Sequence, residues 1–405
     1  MTELYYPLHS LREGHWFKLI CGASFQHLPA VRNLTLAYTL AGADCIDVAA
    51  DPAVIAAALD ALQIADKLGE EAQMRGFGFR SRPWLMVSLN DGEDPHFRKA
   101  EFDPEMCPAD CSRPCEKICP AQAIVFQKAS EGISGVVDKR CYGCGRCLPI
   151  CPSQLIYTRS YVSAPEAIAE LILQDGVDAL EIHTKVGNFG DFQRLWQAIA
   201  PRIHQLKLLA ISCPDGEGLI DYLWALYKLI TPLPCPLVWQ TDGRPMSGDI
   251  GAGATRAAVK LSQKVLAAGL PGYVQLAGGT NSHTVTKLKA TGLLNKMGIG
   301  HGVWDMGNRK KSCPTPDSRL PTPDSRPHVA GIAYGSYARV LLSPILDKLE
   351  NLNDEEIDAN LAPPQSPLIG NLEELPSLLW QAVGSAQALV SQLKSSEQLP
   401  KLTPN

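Results

Sequence analysis

The sequence predicts a (β/α)8 barrel-like frame interrupted after its third strand by a small, cysteine-dense domain. Three observations carry that fold class. Eight short apolar runs alternate with amphipathic helical stretches. The runs are continuously apolar rather than alternating, and eight of the thirteen cysteines crowd between positions 107 and 151. Strands buried on both faces of a parallel sheet give unbroken apolar runs, whereas strands with one wet face alternate.

The eight runs, in order, are FKLICGAS (17–24), CIDVAAD (45–51), WLMVSLN (84–90), ALEIHT (179–184), LKLLAISC (206–213), PLVWQTDG (236–243), GYVQLAGGT (272–280) and HVAGIAYGS (328–336). Between them lie VRNLTLAYTLAG, PAVIAAALDALQIADKLG, APEAIAELILQDG and DFQRLWQAIAPRI, several stopping on glycine as helix C-termini commonly do. Strand–helix units repeated eight times point to barrel closure. An open doubly wound α/β sheet is the alternative, because strand count alone does not close a sheet. The expected division is 1–102 for the first part of the barrel, 103–158 for the insertion, 159–350 for the rest of the barrel, and 351–405 for a linker and C-terminal amphipathic helix.

Bulk composition narrows the partners. With 405 residues and 45% apolar content the chain can bury a large core. A formal net charge of −5, with no basic block, argues against nucleic acid. No stretch approaches the ~20 apolar residues of a transmembrane span, and MTELYYPLHSLREGHWF lacks a signal-peptide pattern. The expectation is a cytoplasmic protein whose thiols stay reduced. Clustered cysteines then point to metal or redox chemistry rather than disulfides.

CYGCGRCLPICP places Cys141, Cys144, Cys147 and Cys151-Pro152 at the spacing C-x2-C-x2-C-x3-C-P, the bacterial ferredoxin ligand run. Two-residue gaps let one tight loop offer three thiolates to a cuboidal core, and Gly143 and Gly145 let backbone N–H groups approach the sulfides. Zinc sites favour paired C-x2-C units set well apart. Upstream, CPADCSRPCEKICP carries Cys107, Cys111, Cys115 and Cys119-Pro120 with three-residue gaps throughout. The tails CPAQAI and CPSQLI mirror each other, as in a duplicated unit. In two-cluster domains the fourth cysteine of each run serves the other cluster. Cys141, Cys144, Cys147 and Cys119 are therefore assigned to a 4Fe–4S cluster, and Cys107, Cys111, Cys115 and Cys151 to a second cluster. The wider gaps of the first run leave that second cluster open between 3Fe–4S and 4Fe–4S. So short a segment buries little apolar surface, so metal binding would supply much of its folding energy.

Loops after barrel strands gather at the C-terminal face, where active sites sit. Gly278, Gly279 and Thr280 after the seventh run, with Gly335 and Ser336 after the eighth, stand where barrels bind phosphate groups, such as those of FMN or a sugar phosphate. The plain reading of those glycines is tight strand–helix turns. GDIGAG (248–253) has the wrong glycine order for a dinucleotide loop. Asp47, His183, Lys185, Asp215, Asp242 and Arg244 end strands and are candidates to line a pocket. No catalytic residue is assigned, since neither a Ser–His–Asp grouping nor a His-x-x-x-His spacing marks a hydrolase. Cys21, Cys45 and Cys213 read as packing residues. Cys235 and Cys313 read as exposed thiols open to oxidants, the ordinary free thiol being the simpler alternative.

The tandem PTPDSR within 312–327 is low-complexity and reads as an excursion before the last strand. In LEELPSLLWQAVGSAQALVSQLK (372–394) an apolar face runs through Leu375, Leu378, Leu379, Ala382, Val383, Ala386, Leu389, Val390 and Leu393. Packing on the barrel is the expectation, docking of a partner the alternative.

The paired cysteine runs, together with FKLICGASFQHLPAVRNLTLAYTLAGADCIDVAADP, resemble the cyanobacterial light-dependent period (LdpA) family over nearly the whole chain. That resemblance implies an iron–sulfur redox sensor in the circadian input pathway, holding 3Fe–4S and 4Fe–4S clusters. It also implies association with clock and clock-input proteins, including KaiA and CikA, and a redox donor such as ferredoxin or the quinone pool. The residues by themselves reach only a two-cluster sensor or electron carrier on an α/β frame. A flavin-dependent oxidoreductase fed by the clusters is the alternative.

Overall fold

The computed structural model describes residues 6–21, 28–92, 98–119, 122–126, 134–137, 141, 147–160, 176–243, 253–294, 328–359 and 371–394. Three strands come first: β1 Trp16–Ile20, β2 Cys45–Ala49 and β3 Trp84–Asn90. The insertion contributes β4 Arg98–Glu101, β5 Ile124–Phe126, β6 Ser134–Val136 and β7 Tyr157–Ser160. The barrel resumes with β8 Ala179–His183, β9 Leu208–Pro214, β10 Leu237–Asp242, β11 Tyr273–Ala277 and β12 Gly331–Tyr334.

The eight barrel strands pair in parallel, each with the next barrel strand in the chain, and β12 closes onto β1 from Trp16↔Gly331 to Leu19↔Tyr334. Closure rules out the open doubly wound alternative. At the seam a Cβ on Gly331 would lie 2.2 Å from the Trp16 carbonyl oxygen, so only glycine lets β12 approach β1 there. β3 pairs directly with β8 across the insertion, from Met86↔Ala179 to Asn90↔His183. The cysteine-dense segment therefore leaves the barrel order undisturbed.

The helices are α1 Tyr6–Glu13, α2 Leu28–Leu40, α3 Pro52–Met74, α4 Pro114–Ile118, α5 Cys147–Ile150, α6 Phe189–Ile199, α7 Leu219–Ile230, α8 Thr255–Ala267, α9 Thr284–Ala290, α10 Ser336–Ala359 and α11 Pro376–Val390. α3 shows the local logic. Asp51 caps it by accepting the Ala53 N–H at 2.9 Å, Pro52 occupies the first turn, and Val54, Ile55, Ala58, Ala61, Leu62, Ala65 and Ala72 form the buried stripe. α10 runs on to Ala359, past the expected start of the linker at 351. The helix expected over APEAIAELILQ, the PTPDSR repeats, Cys313 and most of GDIGAG lie outside the described residues.

α11 buries Leu379, Ala382, Val383, Ala386, Leu389 and Val390 against α2 and α10. Gln387 bonds both the Gly78 N–H, at 2.7 Å, and the Gly76 carbonyl, at 3.2 Å. Just beyond the helix, Lys394 pairs with the buried Asp44 at 2.5 Å. The face that a partner was one candidate to cover is already covered by the barrel's own helices. Among the described residues no helix is long and apolar enough to cross a membrane.

Alternate strand residues separate the two sides of the barrel wall. Phe17, Leu19, Ile46, Val48, Leu85, Val87, Leu180, Ile182, Leu209 and Ile211 belong to the large cluster shared with the helices. Their alternates point to the barrel axis. At its N-terminal end the axis is sealed by Trp16, Trp84, Leu208 and Val238 together with Leu11 of α1. The Trp16 and Trp84 rings meet edge to face with centroids 5.7 Å apart.

Candidate functional site

The insertion is held shut by two short antiparallel pairs, β4 with β7 and β5 with β6. The β4–β7 pair starts at Arg98, ahead of the expected boundary at 103. Between the two pairs, α4 carries Cys115 and leads into Cys119, while α5 opens on Cys147 and leads into Cys151. The insertion has its own small core: Cys115, Cys141 and Cys147 are buried with Ala100, Phe102, Ala123, Ile124 and Ile156, and Cys119 and Cys151 pack at its edge. Cys144 lies outside the described residues.

The mirrored tails take up the same backbone turn. After Cys119-Pro120 the chain reaches Gln122 with φ 48°, and after Cys151-Pro152 it reaches Gln154 with φ 53°. The Gln122 N–H donates to the Cys119 carbonyl at 3.0 Å, and the Gln154 N–H to the Cys151 carbonyl at 3.1 Å. Left-handed φ at a non-glycine residue costs about 1–3 kcal/mol and persists only where surrounding structure imposes it. Two identical strained turns directly after two Cys-Pro pairs make the duplication visible in the backbone.

Each turn aims amide protons at a sulfur. The Ala123 N–H donates to Cys119 Sγ at 3.2 Å. At the matching position Leu155, with Ser153, Gln154 and Ile156, donates to Cys151; burial pushes that thiol up, but the four amides outweigh it and hold it below its ordinary value. The Arg113 N–H reaches Cys111 Sγ at 3.4 Å, and the Ala100 N–H reaches Cys141 Sγ at 3.4 Å. Amides that favour thiolate sulfur are what cluster ligands need.

The structure also groups the sulfurs. Burial, then the adjacent Cys111 thiol and Cys151, push Cys107 up, and Cys115 feels burial, Cys151 and Cys107 in turn. Cys107 thus feels Cys111 and Cys151, and Cys115 feels Cys151 and Cys107. Among the described residues no three His, Cys, Asp or Glu side chains converge closely enough for one metal ion. The insertion is tied to the barrel by Lys99 of β4, 3.3 Å from Asp51 at the cap of α3.

Two family models match the chain. The Fe–S cluster-binding domain of LdpA covers residues 107–162, and the light dependent period A C-terminal domain covers residues 171–392, more than half of the sequence. The chain belongs to the light dependent period A family. Light dependent period A of Synechococcus elongatus is 47% identical over 391 residues, spanning 96% of this chain and 94% of that protein. A tetrathionate reductase subunit of Salmonella typhimurium is 29% identical over 148 residues, 34% of this chain and 58% of that one. Among solved structures, Mycobacterium tuberculosis tryptophan synthase aligns over 94% of this chain and 96% of its own, with a TM-score of 0.37 and 12% identity. As in the family, the insertion is an iron–sulfur-binding domain.

The barrel's C-terminal end differs in part from the sequence-based picture. Gly278 (φ 71°) and Gly279 (φ 75°) make a left-handed turn, and a Cβ on Gly279 would lie 2.7 Å from the Ala254 carbonyl oxygen. Thr280 donates its hydroxyl to the Ala333 carbonyl at 2.8 Å. These residues thus have a packing role. Arg339 reaches from α10 to the Ile20 carbonyl at 3.0 Å and to Ser336 Oγ at 3.2 Å, beside Gly335, so positive charge stands near the expected anion position. Asp215 lies outside the axis in an exposed pair with Lys264 at 2.7 Å, Lys185 is exposed, and Arg244 is outside the described residues. Cys21, Cys45 and Cys213 are buried with thiols pushed up by burial, as packing residues should be. Cys235 is also mostly enclosed, its thiol pushed up to about 12 by burial, which makes it a poor target for oxidants.

Asp47 and His183 sit in a network that the sequence reading missed. On the barrel axis the fully buried Lys18 ammonium lies 2.8 Å from Asp47 Oδ2, bonds Glu181 Oε2, and is 3.4 Å from Met86 Sδ. Ser88 donates to Asp47 at 2.5 Å. Gln240 donates to Glu181 Oε1 at 2.5 Å and to Ser212 at 3.1 Å, and Gln275 donates to Gln240 at 2.5 Å. His183 Nε2 lies 3.0 Å from Glu181 Oε1. Burial disfavours the Glu181 carboxylate, but Lys18 and His183 outweigh it and hold the group at about 2. Asp47 moves the other way, because burial and the Glu181 charge exceed what Lys18 returns. The signal was present: FKLI and ALEIH place a lysine and a glutamate in the middle of strands otherwise apolar.

Proposed function

We propose that the chain is an iron–sulfur redox reporter whose clusters register the light-dependent electron supply of the cell and pass that state to the circadian clock by contact with partner proteins. Two matching strained turns, each directly after a Cys-Pro pair and aiming amides at its sulfur, support this reading. Such sites suit reversible one-electron chemistry, and the amides aimed at Cys111, Cys119, Cys141 and Cys151 set how well added negative charge is tolerated. When loaded, the clusters supply the electron-accepting group. The chain's own residues hold the thiolates, exclude bulk water from Cys115, Cys141 and Cys147, and anchor the insertion through Lys99 and Asp51.

The finer assignment is part of the proposal: Cys141, Cys144, Cys147 and Cys119 hold a 4Fe–4S cluster, and Cys107, Cys111, Cys115 and Cys151 hold the second, 3Fe–4S or 4Fe–4S. KaiA and CikA are the proposed partners. The experiment is a pair of binding measurements on protein prepared without oxygen, oxidised and then reduced by dithionite, with electron paramagnetic resonance recorded on the same samples. A change of affinity that follows cluster reduction supports the reading. Identical affinity in both states, or protein that contains zinc and no iron, overturns it. A stoichiometric flavin bleached by dithionite would transfer the assignment to the oxidoreductase alternative.

A further inference from the structure

β4 stands between the barrel and the cluster domain. Side chains alternate across a strand, so Lys99 and Ala100 face opposite ways, yet both are buried. Ala100 and, two residues on, Phe102 belong to the insertion's own core with Cys115, Cys141 and Cys147. Lys99 turns the other way, to the start of α3, with its ammonium 3.3 Å from Asp51 Oδ2. β4 pairs with one strand, β7, where Ala100 stands opposite Thr158. Its backbone also meets sulfur, since the Ala100 N–H donates to Cys141 Sγ at 3.4 Å. Adjacent residues of one short strand thus hold a barrel carboxylate and the sulfur of an assigned cluster ligand.

The barrel end of this link is fixed. Asp51 Oδ1 accepts the Ala53 N–H at 2.9 Å and the Asp51 carbonyl accepts the Ile55 N–H at 2.9 Å, so the first turn of α3 holds the carboxylate in place. Lys99 is therefore drawn to an anchor that belongs to the barrel. The Lys99 and Asp51 side chains are 11% and 9% exposed, against 63% and 40% for the nearby pair of Arg159 with Glu101. Water and salt screen the buried pair far less, so it is the one able to hold the strand. The sulfur end is sensitive to position. Hydrogen bonds to cluster sulfurs help to set reduction potentials, because a donor favours the more negative, reduced state. β4 has only four residues, so a shift of Lys99 moves the Ala100 amide beside it.

We propose that Asp51 of the barrel is a positioning residue for the cluster that Cys141 helps to hold: through Lys99 it seats β4, keeps the Ala100 amide on Cys141 Sγ, and so raises that cluster's reduction potential. The inference rests on the reading of Cys141 as an iron–sulfur ligand and adds to it a control exerted by the barrel. Reduction adds one electron, with no covalent bond made or broken, and the added negative charge strengthens the Ala100 hydrogen bond. Linkage makes the effect mutual. Seating of β4 on the barrel favours the reduced state, so reduction tightens that seating by the same factor. The start of α3 is where the barrel registers the state of the cluster.

The test is a redox titration of the full holoprotein without oxygen, with dithionite as reductant and electron paramagnetic resonance reading the two clusters separately. Asp51→Ser keeps a capping hydroxyl for α3 but is too short to reach Lys99. Lys99→Met removes the other charge, and the double variant leaves the net charge unchanged. All three should shift the cluster at Cys141 about tenfold toward its oxidised form, the order of the difference between an ordinary hydrogen bond and one to a charged acceptor. For a one-electron couple that is a fall of about 59 mV. A field effect alone gives another pattern: the single variants move in opposite directions and the double variant stays at the wild-type value. Circular dichroism and cluster absorption check folding. A second measurement needs no variant: in the wild type, hydrogen exchange at Ala53 and along β4 should slow on reduction. Opposite shifts in the single variants, no shift in the double variant, equal shifts in both clusters, or wild-type exchange indifferent to reduction overturns the proposal. Protein that holds no iron overturns the underlying reading of Cys141, and the inference with it.

Discussion

Replacing Lys18 by methionine removes one charge from the barrel axis while nearly preserving volume, and its cost follows from the geometry. The ammonium contacts Asp47 and Glu181 and is fully enclosed. Without it both carboxylates stay buried with fewer partners: Glu181 retains Gln240 and His183, and Asp47 retains Ser88. Breaking a buried pair from one side costs about 3–5 kcal/mol. Lys18 and His183 hold Glu181 below its ordinary value, which favours the ionised native state. Because its value is depressed, that contribution is full above the unfolded value and fades as pH falls from 4.5 toward 2. In Lys18→Met the carboxyls can recover part of the loss by taking up protons, so the deficit should shrink from about pH 8 to about pH 5. Urea unfolding without oxygen, followed by the fluorescence of buried tryptophans such as Trp16 and Trp84, measures this. The double change Lys18→Met with Glu181→Met should recover at least about half of the loss, since it removes the stranded charge too. A single-variant loss below about 1 kcal/mol, equal at both pH values, would refute the account of the network as paired charges.

Three further outcomes are expected. Stripping the clusters with chelator and oxidant should release the insertion but not the barrel, because the insertion's apolar core is small and β3 pairs with β8 without it; hydrogen exchange should rise over β4–β7 while β1, β2 and β9–β12 stay protected. Cys144→Ser should abolish the signal of the 4Fe–4S cluster and spare the other, and Cys111→Ser should do the reverse, as read by electron paramagnetic resonance; two unchanged clusters in either variant would break the ligand assignment. Gly331→Ala should lower stability by about 1–3 kcal/mol, because its Cβ would press on the Trp16 carbonyl at the closing seam; thermal unfolding of the holoprotein reads it directly.

How much of this was legible depended on how local the cause is. CYGCGRCLPICP and the tails CPAQAI and CPSQLI disclosed the cluster domain because cluster ligation is written in spacing over a dozen residues. The runs from FKLI to AGIAY disclosed eight buried parallel strands for the same reason, since an unbroken apolar run of a few residues marks a strand buried on both faces. Closure followed from the eightfold repeat, but its seam was not legible: β12 meets β1 at positions more than 300 residues apart, through the gap left by Gly331. Gly278 and Gly279 read either as a tight strand–helix turn or as a phosphate loop, and the neighbour that requires glycine at 279 is Ala254, which no local pattern reveals.

By itself the sequence determined the eight barrel strands, the paired cysteine runs and their duplication, because each follows from periodicity and spacing along the chain. Only the tertiary structure decided where the sheet closes, that α11 lays its apolar face on α2 and α10, and that Lys18, Asp47, Glu181 and His183 meet on one axis. The physical reason is that charges and apolar faces act through space, and a buried lysine is either a defect or a partner according to what the fold sets within 3 Å of it.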